Sequence, residues 1–150
     1  MRITTIALMA LSAVSAPALA DSFAPGAWEH ATDTISADVP GFPQWVIKLF
    51  TGHQTRKNCF TPAQVSHPEA LLTQDDAATC KMRRISMVGG KLLFDTFCIN
   101  KRFPDGLLVA SQGTYTPNNY SIETVSTGTK DGKPVKIVTS GSGHRVGACK

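Results

Sequence analysis

Charge, aromatic rings and recognisable chemical motifs are all sparse in this chain. Asp, Glu, Lys and Arg make up 17% of its 150 residues, and the aromatics 7%. A formal charge of +4 at pH 7 is too small and too scattered for the clustered basic face that nucleic acid requires. The four cysteines contain no C-x-x-C pair, which excludes a zinc ribbon or a thioredoxin-type redox site. His30, His53, His67 and His144 show no pair at ligand spacing, so neither metal nor cofactor is expected. Gly128 and Gly132-Lys133 approach a phosphate loop, but the spacing is one residue short and Pro134 follows the lysine. Ser140-Gly141-Ser142-Gly143 is not a nucleophile elbow. No catalytic residue can be named, and the carboxylates from Glu29 to Asp131 fall at turns or on alternating faces, as a solvated surface requires.

What is present begins with an export signal. Arg2 precedes an apolar stretch from Ile3 to Ala16, and small residues end it at Ala18-Leu19-Ala20. Cleavage after Ala20 is expected, leaving residues 21–150 as one β-rich domain. Thr4, Thr5, Ser12, Ser15 and Pro17 dilute the stretch below what a membrane span needs, and Asp21 stands where a lipid-modified cysteine would be required. The expected location is the periplasm, with no membrane span after cleavage. An oxidising compartment reads Cys59, Cys80, Cys98 and Cys149 as two structural disulfides.

The pattern beyond the signal is mainly β: an antiparallel meander, as a curved sheet, sandwich or small barrel, with one short interrupted helix and disulfide pins. Trp28 to Ala37 alternates as a strand. Pro40-Gly41-Phe42-Pro43 interrupts pairing, and Trp45 to Phe50 is expected to resume as a strand running toward Lys57. Thr61-Pro62 opens a helix toward Leu72 that Pro68 must interrupt. Residues 73–79 form a polar connection. Successive hairpins follow: Cys80 to Val88 and Lys91 to Asn100 meet at Gly89-Gly90, Pro104-Asp105-Gly106 turns into Leu107 to Thr116, and Asn118-Asn119 leads to Tyr120 to Thr127. Asp131-Gly132 precedes a last strand, Pro134 to Ser140.

The hairpin at Gly89-Gly90 sets two registers in conflict. A two-residue loop pairs Arg84 with Asp95, Ile85 with Phe94 and Met87 with Leu92, but leaves Cys98 opposite Lys81. A three-residue loop pairs Cys80 with Cys98. One residue of slip flips every face, so a bulge, or Cys80 just outside the regular strand, is expected to reconcile them. Four cysteines permit three connectivities. The preferred set joins Cys80 to Cys98 locally and Cys59 to Cys149 at long range. On a loop-entropy estimate, closing about 18 residues is worth roughly 3 kcal/mol and about 90 residues roughly 4.5 kcal/mol.

Pro25-Gly26-Ala27-Trp28-Glu29, Cys59-Phe60-Thr61-Pro62-Ala63-Gln64, the pair Cys80 and Cys98, and Gly143-His144-Arg145-Val146-Gly147-Ala148-Cys149 together resemble domain of unknown function family 3617, small exported proteobacterial proteins. The ordered set covers nearly all of the chain beyond the signal. His144 stands where members often carry arginine, and Phe60 where leucine is common. The resemblance implies a periplasmic β-rich protein and transfers no catalytic residues.

The expected function is therefore that of a non-enzymatic periplasmic binding or accessory protein. The alternative is an enzyme acting on cell-envelope polymers through carboxylates or histidines. Arg145, beside flexible glycines, is the first candidate ligand contact, with His144, Trp28 and Glu29 near it. Lys81, Arg83, Arg84, Lys91, Lys101 and Arg102 form the densest basic region. Partners in view are an envelope small molecule, anionic lipid or polysaccharide, or a periplasmic protein. A pocket lined by Trp28, Trp45 and Phe94 would mark a binder. Glu29, His30 and Arg145 converging in a polar pocket would mark an enzyme.

Overall fold

The computed structural model describes residues 22–68 and 79–150. The signal segment, the expected helix beyond Pro68 and most of the polar connection lie outside the described residues. Within them the order is β1 (Gly26–Asp38), α1 (Gln44–Thr51), β2 (His53–Phe60), α2 (Pro62–Val65), β3 (Thr79–Val88), β4 (Lys91–Asn100), β5 (Phe103–Thr116), β6 (Asn119–Lys130) and β7 (Lys133–Gly147). The seven strands form one sheet, ordered β2-β1-β7-β6-β5-β4-β3, and every pairing is antiparallel. From β3 to β7 the chain is a meander of hairpins. β1 then closes the order from the other side, lying between β7 and β2.

Turn chemistry explains the hairpins. Gly89 and Gly90 both take positive φ, 58° and 76°, as do Asp131 and Gly132, at 53° and 72°. Two consecutive left-handed residues match the twist of the strands they join. The two registers of the first hairpin both occur: Arg84 lies opposite Asp95 and Met87 opposite Leu92, while Cys80 lies opposite Cys98. A bulge between Met82 and Arg84 absorbs the extra residue. The bulged Arg83 lays its guanidinium over the Phe97 ring, 5.9 Å from its centre.

Three expectations are corrected. Trp45 to Phe50 is helix, because the run Trp45-Val46-Ile47-Lys48-Leu49 carries no alternation. Coiled from Pro43, it turns Val46, Ile47 and Thr51 partly inward and leaves Trp45, Lys48 and Leu49 outside. The turn after β4 falls at Lys101-Arg102 rather than at Pro104-Asp105-Gly106, since the Asn100 side-chain oxygen accepts from the backbone N–H of both Arg102 and Phe103, each at 2.9 Å. Last, β7 runs to Gly147, and Gly141 and Gly143 are strand residues in close quarters. A side chain at Gly143 would meet the Tyr120 ring and the His30 imidazole.

One face of the sheet carries nearly all buried residues, in two clusters. Phe23, Trp28, Val65, Leu92, Phe94 and Tyr115 form the larger, with Phe60, Tyr120 and Ile122 packed against it. Val65 reaches it from α2, whose capping box joins the Thr61 hydroxyl to the Gln64 N–H and the Gln64 side chain to the Thr61 N–H. Val39, Leu107 and Val135 form the smaller, with Ile47, Phe103, Val109 and Ile137 around it. Register places Thr34, Thr139, Thr124 and Ser111 in one row across β1, β7, β6 and β5. This hydroxyl row lies between the clusters, and Ser111 and Thr124 are hydrogen-bonded at 2.8 Å. Disulfides join Cys59 to Cys149 and Cys80 to Cys98, which accords with an oxidising environment. No helix among the described residues is long and apolar enough to cross a membrane.

Candidate functional site

At the end of the sheet held by the smaller cluster, a cavity of about 930 Å³ opens between α1, the residues after β1 and the turn from β4 to β5. Its apolar wall is Val39, Phe42, Val46, Ile47, Phe103 and Ile137, with Thr51 and Gln54 beside them. Lys101, Arg102 and Lys130 supply three cations, and no carboxylate is among the lining residues.

Local structure fixes each part. The Thr34 hydroxyl donates to the Thr51 carbonyl at 2.8 Å, and the Thr51 hydroxyl donates to the Ile47 carbonyl at 2.8 Å. The last turn of α1 is thereby tied to β1. The Asn100 side chain shapes the turn that presents Lys101 and Arg102. Lys130 projects from the buried face of β6, and its ammonium lies 3.0 Å from the carboxylate of the exposed Asp131. Such a site accepts an apolar body along its wall and an anionic group at its basic margin.

A second constellation occupies the opposite end. The His30 Nδ1 lies 2.8 Å from the Tyr120 hydroxyl. Burial holds the His30 pKa below the usual histidine value, and the nearby His144 adds to this. Burial also pushes the Tyr120 phenol up to about 12. Near neutrality both groups are therefore uncharged, and the imidazole tautomer decides which of them donates. The buried Nε2 of that imidazole finds no hydrogen-bond partner among the described residues. Phe60 packs against the ring at 5.4 Å between centres, and Trp28 stacks on it at 6.2 Å.

The four residues expected to touch a ligand are neighbours that do not converge. Trp28 lies opposite Arg145 and Glu29 opposite His144, across β1 and β7. Trp28 is 0% exposed, and its indole N–H donates to the Ala24 carbonyl at 3.0 Å. Arg145 donates from Nε to the Pro25 carbonyl at 2.7 Å. Glu29 pairs with Lys57 at 3.2 Å, and His144 is exposed. None of the four lines the cavity.

Neither pocket imagined from the sequence forms. Trp28 and Phe94 share the larger cluster, whereas Trp45 stands outside it, exposed on α1. Alternation along β1 separates Glu29 from His30. The basic region divides as well: Arg84 pairs with Asp95 at 2.9 Å, Arg83 covers Phe97, and Lys101 and Arg102 reach the cavity. The cavity wall escaped the sequence because α1 was expected as a strand. The spacing of Trp45 and Leu49 was the available signal.

Compared with known proteins, residues 23–149 match a family model described as "Protein of unknown function (DUF3617)". No curated protein and no solved structure matches the chain.

Proposed function

The chain belongs to the DUF3617 family, and on that premise we propose a non-enzymatic binding protein of the periplasm, exported by a signal cleaved after Ala20, that holds an amphiphile with an acidic head. The observation that carries this is the cavity, apolar on its wall and basic at its margin. Its volume of about 930 Å³ lies within the range of small-molecule sites. The apolar chain of the ligand lies against Val46, Ile47, Phe103 and Ile137. Its head meets Lys101, Arg102 and Lys130, in a setting where charge-assisted hydrogen bonds are stronger than neutral ones.

An enzyme acting on envelope polymers has one observation in its favour, the neutral His30 hydrogen-bonded to Tyr120. That imidazole packs among Trp28, Phe60 and Tyr120, and Glu29 faces away from it. We therefore place the function at the cavity.

Native mass spectrometry of protein purified from its own host's envelope, followed by titration with long-chain fatty acids and the matching alcohols, tests this. The expected result is a retained amphiphile and acid binding at least about tenfold tighter than the alcohol, a difference that Lys101→Gln with Arg102→Gln removes. Failure to bind either compound would overturn the proposal. The same spectrum reads out signal cleavage as a mass beginning at Asp21.

A further inference from the structure

The cavity accounts for one side of α1 and leaves the other unexplained. Trp45 is 70% exposed and Leu49 72%. Trp45 and Leu49 are four residues apart, one turn along the helix, so the two make one apolar ridge on its outer face. Large exposed apolar side chains on so short a helix form a patch that calls for a partner.

The surroundings of the ridge say what kind. Lys48 lies on α1 between Trp45 and Leu49 and is exposed. Lys101, Arg102 and Lys130 line the cavity whose other wall is α1 itself. A tryptophan and a leucine on one helix face, flanked by cations, match the boundary between acyl chains and anionic headgroups. Indole sits at headgroup depth, leucine goes deeper, and lysine pairs with phosphate.

We propose that the outer face of α1 docks on a membrane surface containing anionic phospholipid, so that the cavity opens toward the bilayer. The proposal rests on the amphiphile-binding function above and deepens it, because such a ligand is held by membranes and must leave or enter one. The ridge anchors the protein at the surface while Val46 and Ile47, on the other side of the same helix, form the receiving wall. The helix lies on the surface and does not span it, since its 8 residues are far short of the roughly 20 that a span requires.

Cosedimentation of the oxidised protein with phosphatidylcholine vesicles, with and without phosphatidylglycerol, tests the docking. The expected result is binding to the anionic vesicles that weakens with salt and is at least about tenfold stronger than to phosphatidylcholine alone. The buried Trp28 is shielded from solvent, so the acrylamide-quenchable emission belongs to Trp45. That emission shifts to the blue and becomes protected on binding. Trp45→Ser with Leu49→Ser lowers vesicle affinity by about tenfold or more, with the thermal midpoint and fatty-acid binding in solution unchanged. Lys48→Gln weakens binding to anionic vesicles only.

Equal binding to both vesicle types, or an unshifted Trp45 in the vesicle-bound protein, would overturn the docking. So would a Trp45 shift that follows protein concentration without lipid, which would assign the ridge to a second copy of the chain. Fatty-acid titration reports on the cavity separately: vesicle binding without fatty-acid binding sinks the ligand and leaves the docking, and the reverse result sinks the docking alone.

Discussion

The two ends of the buried face are built from one sheet by opposite means. At the Trp28 end, rings interlock: Phe23 meets Trp28, Tyr115 and Tyr120 edge-on, with centres 5.5, 5.6 and 5.9 Å apart. Gly143 leaves the space into which Tyr120 and His30 settle. At the α1 end, three buried aliphatic residues, Val39, Leu107 and Val135, are too small to fill the volume between sheet and helix. The cavity is what remains. Stability is thus concentrated at the filled end, and the other end stays open. The hydroxyl row from Thr34 to Ser111 lies where one regime gives way to the other.

Truncation should expose this division most strongly. Trp28→Ala removes the only large side chain that is fully enclosed among the described residues and is expected to cost about 3–5 kcal/mol. Ile47→Ala, at the cavity wall, should cost only about 1 kcal/mol, because its side chain is half-buried. Denaturant unfolding of the two variants checks the contrast, and equal losses would break it.

Titration gives a second, smaller difference. The folded pKa of His30 is depressed, so between that value and the unfolded one, near 6.5, the unfolded chain binds more protons. Stability from this group is fully present above about pH 6.5 and declines as pH falls through that window. Tyr120 acts at the other extreme. Its phenol ionises near 12 when folded, against 10 when unfolded, so its contribution is present below pH 10 and is lost as pH rises toward 12. His30→Gln should flatten the acidic limb of a melting-temperature profile, and Tyr120→Phe the alkaline one. Variants of Lys101 or Arg102 should leave both limbs in place.

The smallest effect on stability should come from filling the open end. Val46→Phe adds bulk where a cavity exists, so the change is expected to stay below about 1 kcal/mol. Amphiphile binding should nonetheless fall by about tenfold, as read by fatty-acid titration.

Legibility in the sequence divides by distance along the chain. The hairpins could be read because Gly89-Gly90 and Asp131-Gly132 carry their turn conformations in the residues themselves. Even the bulge at Arg83 was foreshadowed, since Arg84 with Asp95 and Cys80 with Cys98 demand registers one residue apart. By contrast, the return of β7 to β1 joins residues as far apart as Ala27 and Gly147, and nothing in Ser140-Gly141-Ser142-Gly143 announces it. Those glycines look flexible in isolation and become a packing device only when His30 and Tyr120 arrive over them. The cavity needed α1, and the one helical spacing in its run, Trp45 to Leu49, marks the outer face rather than the wall that Val46 and Ile47 supply. Lys101 and Arg102 stood out as charge, but their use depends on the Asn100 turn.

The placement of β1 also bears on how the chain comes to be finished. A polypeptide is made from its amino end, so β1 and β2 can pair across α1 long before β7 arrives. Until then β1 keeps one bare edge, and Cys59 has no partner, since Cys149 follows the strand that covers that edge. The long-range bond therefore closes only on a completed sheet. A chain that ends early therefore carries two marks at once, a Cys59 thiol without Cys149 and an uncovered edge on β1.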